Sequence, residues 1–255
     1  MKYGLQMYSV RDTAKEDLRL AISEVAKMGY TSVEFAGLYD NSAESVAAWL
    51  SESGIEAVGT HTRLDALTDG NISETIRIHK MIGASNLTVP GADWSTEELM
   101  RSNIELLNKA APILAEEGIR LGYHNHSREF YKTSYGKIVF DEIIARTSID
   151  LEVDTFWLYN AGIDPVPYLE EHKDRIRLIH LKDGRVDRSL QHSFEDPHSG
   201  AVGLAVGEGE VPVADIVSFA KNNGIGIVVE SEGLDPTGLE EVRRCIVNLK
   251  KLEEK

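Results

Sequence analysis

The chain has 255 residues, 42% hydrophobic and 27% charged, a globular balance that excludes a disordered or fibrous chain. Its formal charge of −15 argues against a nucleic-acid partner, which needs a basic footprint, yet permits an anionic small molecule because a cleft can carry its own local field. A single cysteine, Cys245, excludes an intramolecular disulfide, no apolar run nears the roughly 20 residues of a membrane helix, and the opening Met1-Lys2-Tyr3-Gly4 lacks signal-peptide character, so a soluble cytoplasmic protein with a packed thiol is expected.

In chain order, a β-type run at Tyr3–Ser9 comes first. An amphipathic stretch from Asp17 to Met28 follows, with Leu18, Ile22 and Val25 at helical spacing, then Gly29 and a second run, Thr31–Phe35. The unit recurs: 44–53 closes at Gly54 before Ile55–Val58, 74–82 at Gly83 before Asn86–Val89, and 97–117 at Gly118 before Ile119–Leu121. Glycine just past a helix supplies the left-handed conformation that closes it in a tight helix-to-strand loop. A helical stretch at 137–146 leads to Ile149–Asp154, a short one near 166–173 leads to Arg175–Lys182, and 212–223 closes at Gly224 before Ile225–Val228. A helix at 239–252 ends the series.

Eight strands alternating with helices imply parallel pairing with right-handed crossovers. Eight such units in this length are the arithmetic of a single-domain α/β protein, a (β/α)8 TIM barrel. A doubly wound open sheet usually carries a glycine-rich phosphate turn after its first strand, and Ser9-Val10-Arg11-Asp12 is not one. The longest non-helical stretch, 183–211, follows the seventh strand and would lie over the catalytic mouth of a barrel.

Alternate strand residues share a face. The face that carries metal-type groups reads Gln6 on the first strand, Glu34 on the second and His61 on the third. It continues with His124 and His126 on the fifth, Glu152 and Asp154 on the sixth, His180 and Lys182 on the seventh, and Glu230 and Glu232 on the eighth. Charged groups closing an apolar strand are costly to bury unless paired or bound, so these imidazoles and carboxylates point to a metal-dependent enzyme. Blander readings stand beside this one. His79 and His172 read as structural, His192 and His198 as solvated, Glu34 and Glu232 as rim carboxylates, and Glu152 and Asp154 as ion-pair partners of Lys182.

The segments Gly4-Leu5-Gln6-Met7-Tyr8-Ser9-Val10, Val33-Glu34-Phe35, Gly59-Thr60-His61, Tyr123-His124-Asn125-His126, Glu152-Val153-Asp154, His180-Leu181-Lys182-Asp183 and Gly207-Glu208-Gly209 run nearly end to end. With them the chain resembles the xylose isomerase-like TIM barrels, the sugar phosphate isomerase/epimerase family. The resemblance implies one divalent metal ion, first of all Mn²⁺ with Mg²⁺, Co²⁺, Fe²⁺ or Zn²⁺ as alternatives, held by Asp154, His180, Glu230 and, where the family has Glu, His124. That departure removes one of the two opposed bases of the family's epimerases. Glu230 is then expected as ligand and proton-transfer base, partnered by His126, Glu152 or Glu129, with Gln6, Glu34, His61, Glu129, Lys182 and Arg185 contacting substrate.

The expected activity is isomerisation or epimerisation of a sugar or keto-sugar through an enediolate, with a dehydratase of a keto-sugar or keto-inositol as the alternative. The expected partner is a small polyhydroxylated substrate, with no nucleic acid and no membrane; a homo-oligomer is compatible. An abasic-site endonuclease, which shares the fold, needs more metal ligands and a basic groove. A non-catalytic sugar-binding barrel would tolerate loss of the metal.

Overall fold

A computed structural model describes residues 1–254. Its strands are β1 Tyr3–Gln6, β2 Ser32–Phe35, β3 Glu56–His61, β4 Asn86–Val89, β5 Arg120–His124, β6 Asp150–Asp154, β7 Ile176–Leu181, β8 Asp183–Val186, β9 Ala201–Leu204 and β10 Gly226–Val229. Eight of them close into a barrel in the order β1-β10-β7-β6-β5-β4-β3-β2, every neighbouring pair parallel. The (β/α)8 fold expected from the alternation is therefore the fold observed. Its eighth barrel strand is β10, because β8 and β9 form a separate antiparallel hairpin.

The helices are α1 Arg11–Glu16, α2 Leu18–Met28, α3 Ala43–Ser53, α4 Ile72–Ile82, α5 Glu97–Glu116, α6 Val139–Arg146, α7 Thr155–Asn160, α8 Pro165–His172, α9 Val213–Asn223 and α10 Gly238–Glu253. Helix α2 shows how sequence makes them. Asp17 accepts from the Leu20 amide and caps the start, while Gly29 at φ 101° closes the end. Leu18, Ala21, Ile22, Val25 and Met28 form its buried stripe. Gly54, Gly83 and Gly224 close α3, α4 and α9 with the same left-handed turn. Outward strand residues such as Leu5, Val33, Leu121, Val153, Ile179 and Val229 are buried beneath this helical layer. Each fully buried aliphatic side chain contributes about 1.5–3 kcal/mol of transfer energy.

Three local departures matter for the site. The first strand stops at Gln6 rather than Ser9, because the Gln6 side chain accepts from the Tyr8 amide and turns Met7–Val10 into a 3-10 helix. An unexpected helix, α7, starts directly after Asp154, whose Oδ1 accepts from the Trp157 amide at 2.8 Å. The stretch 183–211 is not plain loop; it carries the β8–β9 hairpin. Asp183 ties that insertion down, accepting from the amides of Gly184, Gly207, Gly209 and Val211 at 2.8, 2.9, 2.9 and 3.1 Å. No helix among the described residues is long and apolar enough to cross a membrane.

Candidate active site

Inside the barrel, below the C-terminal ends of the strands, lies a polar layer. Glu34 of β2 is fully buried, so it is not the rim carboxylate of the blander reading. It accepts from the Gln6 amide at 2.9 Å and faces His180 Nε2 at 2.7 Å. Gly59 makes room for it, since a Cβ there would stand 3.0 Å from Glu34 Oε1 and from the Asn86 carbonyl oxygen. Glu152 of β6 pairs with His61 Nε2 at 2.7 Å and stands 3.4 Å from His124 Nδ1. The His61 and His180 rings stack at 4.9 Å. Burial disfavours the charge on both, but Glu34 and Glu152 more than restore it and raise both pKa values. Burial and the neighbouring His180 and His61 hold His124 neutral, well below the usual imidazole range. Burial and Glu34 push Glu152 up.

Above this layer the strand ends bring in Asp154, Glu230 and Lys182. Glu230 Oε2 lies 3.4 Å from His180 Nδ1 and 3.7 Å from Lys182 Nζ. Burial opposes the Glu230 charge, yet Lys182 and His180 outweigh it and hold the carboxyl well below its ordinary range. Lys182 itself is buried, bonded to Glu232 at 2.6 Å and seated 4.5 Å over the Trp157 ring. Its partners are Glu230 and Glu232, so the expected pairing of Lys182 with Glu152 and Asp154 is not the one formed.

Two overlapping groups can offer ligand atoms within 4.8 Å of one another: His124, Asp154, His180 and Glu230, and His61, His124, Glu152 and His180. The second is partly engaged, since His61 and Glu152 bond to each other and His180 Nε2 faces Glu34, although Glu152 Oε1 and His124 Nδ1 have no partner. The first leaves buried Asp154 Oδ2 with no hydrogen-bond partner, and burial pushes that carboxyl up to about 7. A buried carboxylate oxygen without a donor is costly, and a cation answers it. His180 has a carboxylate behind it, Glu34 at 2.7 Å, and that is how metal-bound histidines are usually oriented. Glu152 stands 3.4 Å from His124 Nδ1 without hydrogen-bonding it. The donor set fits one divalent cation.

A cavity of about 670 Å³ opens above, lined by His61, His124, His126, Glu230, Glu232 and Tyr8. Of the residues singled out in the sequence, His61, His124, His126 and Glu230 reach this cavity, and Asp154, His180 and Lys182 stand just behind it. Gln6, Glu34 and Glu152 belong to the layer below. Glu129 is also occupied: its carboxylate accepts from the Tyr123 hydroxyl at 3.1 Å and the His126 amide at 2.9 Å, which fixes the turn that presents His126. Arg185 sits exposed on the hairpin strand β8, opposite Val202, and lines neither cavity at the mouth.

The sequence reading missed Trp157 and His198. His198, expected as merely solvated, is exposed but lies 4.3 Å from the Trp157 ring and 6.1 Å from His126. The sole signal for it was the length of 183–211. An aromatic three residues past Asp154 was the signal for Trp157, legible only with the cap in view.

The profile of the xylose isomerase-like TIM barrel matches residues 22–249, so the chain belongs to that family. An inosose dehydratase from Geobacillus kaustophilus is 26% identical over 190 residues, an alignment that covers 65% of this chain and 62% of that relative's length. A sugar phosphate isomerase/epimerase from Parabacteroides distasonis superposes with a TM-score of 0.78 at 24% identity, over 98% of this chain and 93% of the other. The IOLI protein, solved with a zinc atom, superposes with a TM-score of 0.70 at 16% identity, over 99% and 98%. At these identities the superpositions speak for the fold.

Proposed function

We propose that this member of the xylose isomerase-like TIM barrel family is a divalent-metal-dependent lyase, a dehydratase of a polyhydroxylated ketone of the inosose or keto-sugar type. The observation that carries it is the make-up of the mouth. Two imidazoles outside the donor set line the cavity, His61, which is paired with Glu152, and His126. The carboxylates near them are engaged, Glu232 with Lys182, Glu152 with His61, and Glu129 with Tyr123 and the turn, which leaves His126 without an opposed free carboxylate base. Epimerisation needs two opposed bases, whereas elimination of water needs one group that takes a proton and returns it. The likeness to an inosose dehydratase supports the same order, so the isomerase or epimerase reading of the sequence becomes the second.

His124, Asp154, His180 and Glu230 would hold the cation, with Mn²⁺ or Zn²⁺ suited to a set of two imidazoles and two carboxylates. When bound, such an ion supplies Lewis acidity towards a ketone oxygen and its neighbouring hydroxyl. The chain supplies the rest. Burial and Lys182 push His126 down to about 3, so it stands as the neutral imidazole, the form that can accept a proton. His126 takes the hydrogen α to the ketone, and the C–H pair becomes the new double bond. The β carbon–oxygen bond breaks, and the same proton leaves with the hydroxyl as water. Burial weighs against the Lys182 charge, but Glu230 and Glu232 raise its pKa, so it keeps a fixed positive charge beneath the reacting oxygens.

The test is a panel of inososes, keto-sugars, sugars and sugar phosphates with Mn²⁺-reconstituted protein, read by NMR and mass spectrometry. Water loss from a keto-polyol is expected. His126→Gln should keep full metal content while kcat falls by roughly 10²–10⁴-fold, the usual range for a lost acid–base group. Glu230→Gln should lower turnover and metal content together. A product of unchanged formula, with no water lost, would hand the assignment to the isomerase reading.

A further inference from the structure

The mouth does not end at the donor set. A second cavity, about 730 Å³, adjoins the first, and Arg63, Pro90 and His126 line both. Either space alone falls in the range of roughly 300–1,000 Å³ that takes a drug-sized ligand, so a single polyol ring leaves the second one unused. Its wall is apolar where it departs from the mouth: Leu64, Ala92 and Leu106 are half-buried and face it beside Pro90. Its lining carries two guanidiniums, Arg63 and Arg128, against three carboxylates, Asp65, Asp93 and Glu129. Arg63 pairs with Asp65 at 3.2 Å, and both Glu129 oxygens are already accepting hydrogen bonds. With no excess of cations, the space suits a neutral group better than a phosphate.

The far wall is anchored rather than loose. The segment that carries His198 is held by Asn160 Nδ2 donating to the Pro197 carbonyl at 2.7 Å, by Ser127 Oγ to the same oxygen at 3.2 Å, and by Arg128 Nε to the Phe194 carbonyl at 3.1 Å. We propose that the second cavity is a subsite for a neutral, ring-sized substituent. The substrate is then a two-part molecule of glycoside type, its polyol part at the donor set and an apolar-faced ring between Leu64, Ala92 and Leu106. This rests on reading the first cavity as the polyol site.

The experiment compares binding without turnover, by calorimetry on the Mn²⁺-loaded full chain. The probes are phenyl β-glucoside, β-galactoside and β-xyloside, their methyl counterparts, and glucose 6-phosphate. At least one phenyl glycoside should bind about tenfold or more tightly than its methyl partner, as expected for burying a ring face. Leu106→Trp and Ala92→Phe fill the cavity from α5 and from the loop before it. Each should abolish the phenyl advantage and leave methyl-glycoside binding unchanged, with melting curves confirming that the variants fold. The proposal is overturned if phenyl and methyl glycosides bind alike, if none of them binds, if the phosphate takes the advantage, or if the advantage survives both variants. A barrel that dehydrates a keto-polyol but shows no phenyl preference loses this subsite and keeps the lyase reading.

Discussion

Asp183→Asn tests how firmly the insertion is fastened to the barrel. Asp183 is 1% exposed, and each of its oxygens accepts two backbone N–H groups: Oδ1 from Gly184 and Val211, Oδ2 from Gly207 and Gly209. Asparagine has the same shape, but one acceptor becomes an NH₂ group facing two donors. Two charge-assisted hydrogen bonds at about 1.5–3 kcal/mol each are lost, and the two freed amides stay buried. The expected destabilisation is about 3–6 kcal/mol. For a chain of this size, at about 2–4 °C per kcal/mol, Tm should drop by roughly 6–24 °C. Urea unfolding should show a lower midpoint at unchanged slope. Asp187→Asn, at an exposed carboxylate that accepts from the Ser189 amide and hydroxyl, is the control and should change stability by less than about 1 kcal/mol. A loss below about 1 kcal/mol for Asp183→Asn would refute the reasoning, because it would mean the four amides find other acceptors at little expense.

Three further outcomes are expected. Mn²⁺ at about a hundredfold above its Kd should stabilise the fold by about 2.7 kcal/mol, and His124→Ala or Asp154→Asn should remove that thermal shift; wild-type protein with neither a shift nor stoichiometric metal by elemental analysis would end the metal reading. Burial lifts Glu129 from 4.5 to about 7, so between those pH values the folded chain keeps a proton that the unfolded chain has released, and stability should fall as pH rises across that window, by up to about 3 kcal/mol. Glu129→Gln should flatten that slope in urea melts taken from pH 4.5 to 8, and an unchanged slope would place the titration elsewhere. Arg185→Ala should leave both kcat/KM and stability within error, since the side chain is exposed and lines neither cavity; a tenfold loss of activity would give it a part in the site.

The barrel was legible because its punctuation is local. Gly29, Gly54, Gly83 and Gly224 mark helix ends by backbone sterics alone, whatever they pack against. Strand parity then put His124, Asp154, His180 and Glu230 on one face, and the four meet within 4.8 Å. Depth was not legible. Parity tells which face a side chain takes but not which level of the barrel it occupies, so Glu34 read as a substrate contact, or in the blander reading a rim carboxylate, whereas it lies buried against His180. The β8–β9 hairpin escaped because Asp183-Gly184-Arg185-Val186 carries no clean alternation, and its pairing is set by Asp183 reaching amides 24 and more residues away. Arg185 stands exposed on that hairpin, a placement strand parity alone does not supply. His198 and Trp157 meet through tertiary packing, to which composition and spacing are blind.

The Glu34–His180 contact spans 146 residues of chain, and the Glu152–His61 contact spans 91. Neither can form across a barrel cut between β5 and β6, and in either half alone these groups would face solvent from an open sheet. The four cation donors share the neighbouring strands β5, β6, β7 and β10, but the carboxylate facing His180 comes from β2 across the ring, so the complete site arrives only with closure, after most of the loop-closure entropy has been spent. Split between α6 and β6, the C-terminal fragment keeps Asp154, His180 and Glu230 but loses His124 and Glu34, so it should hold metal more weakly than the reassociated barrel, which makes metal affinity a readout of whether the circle of strands has closed.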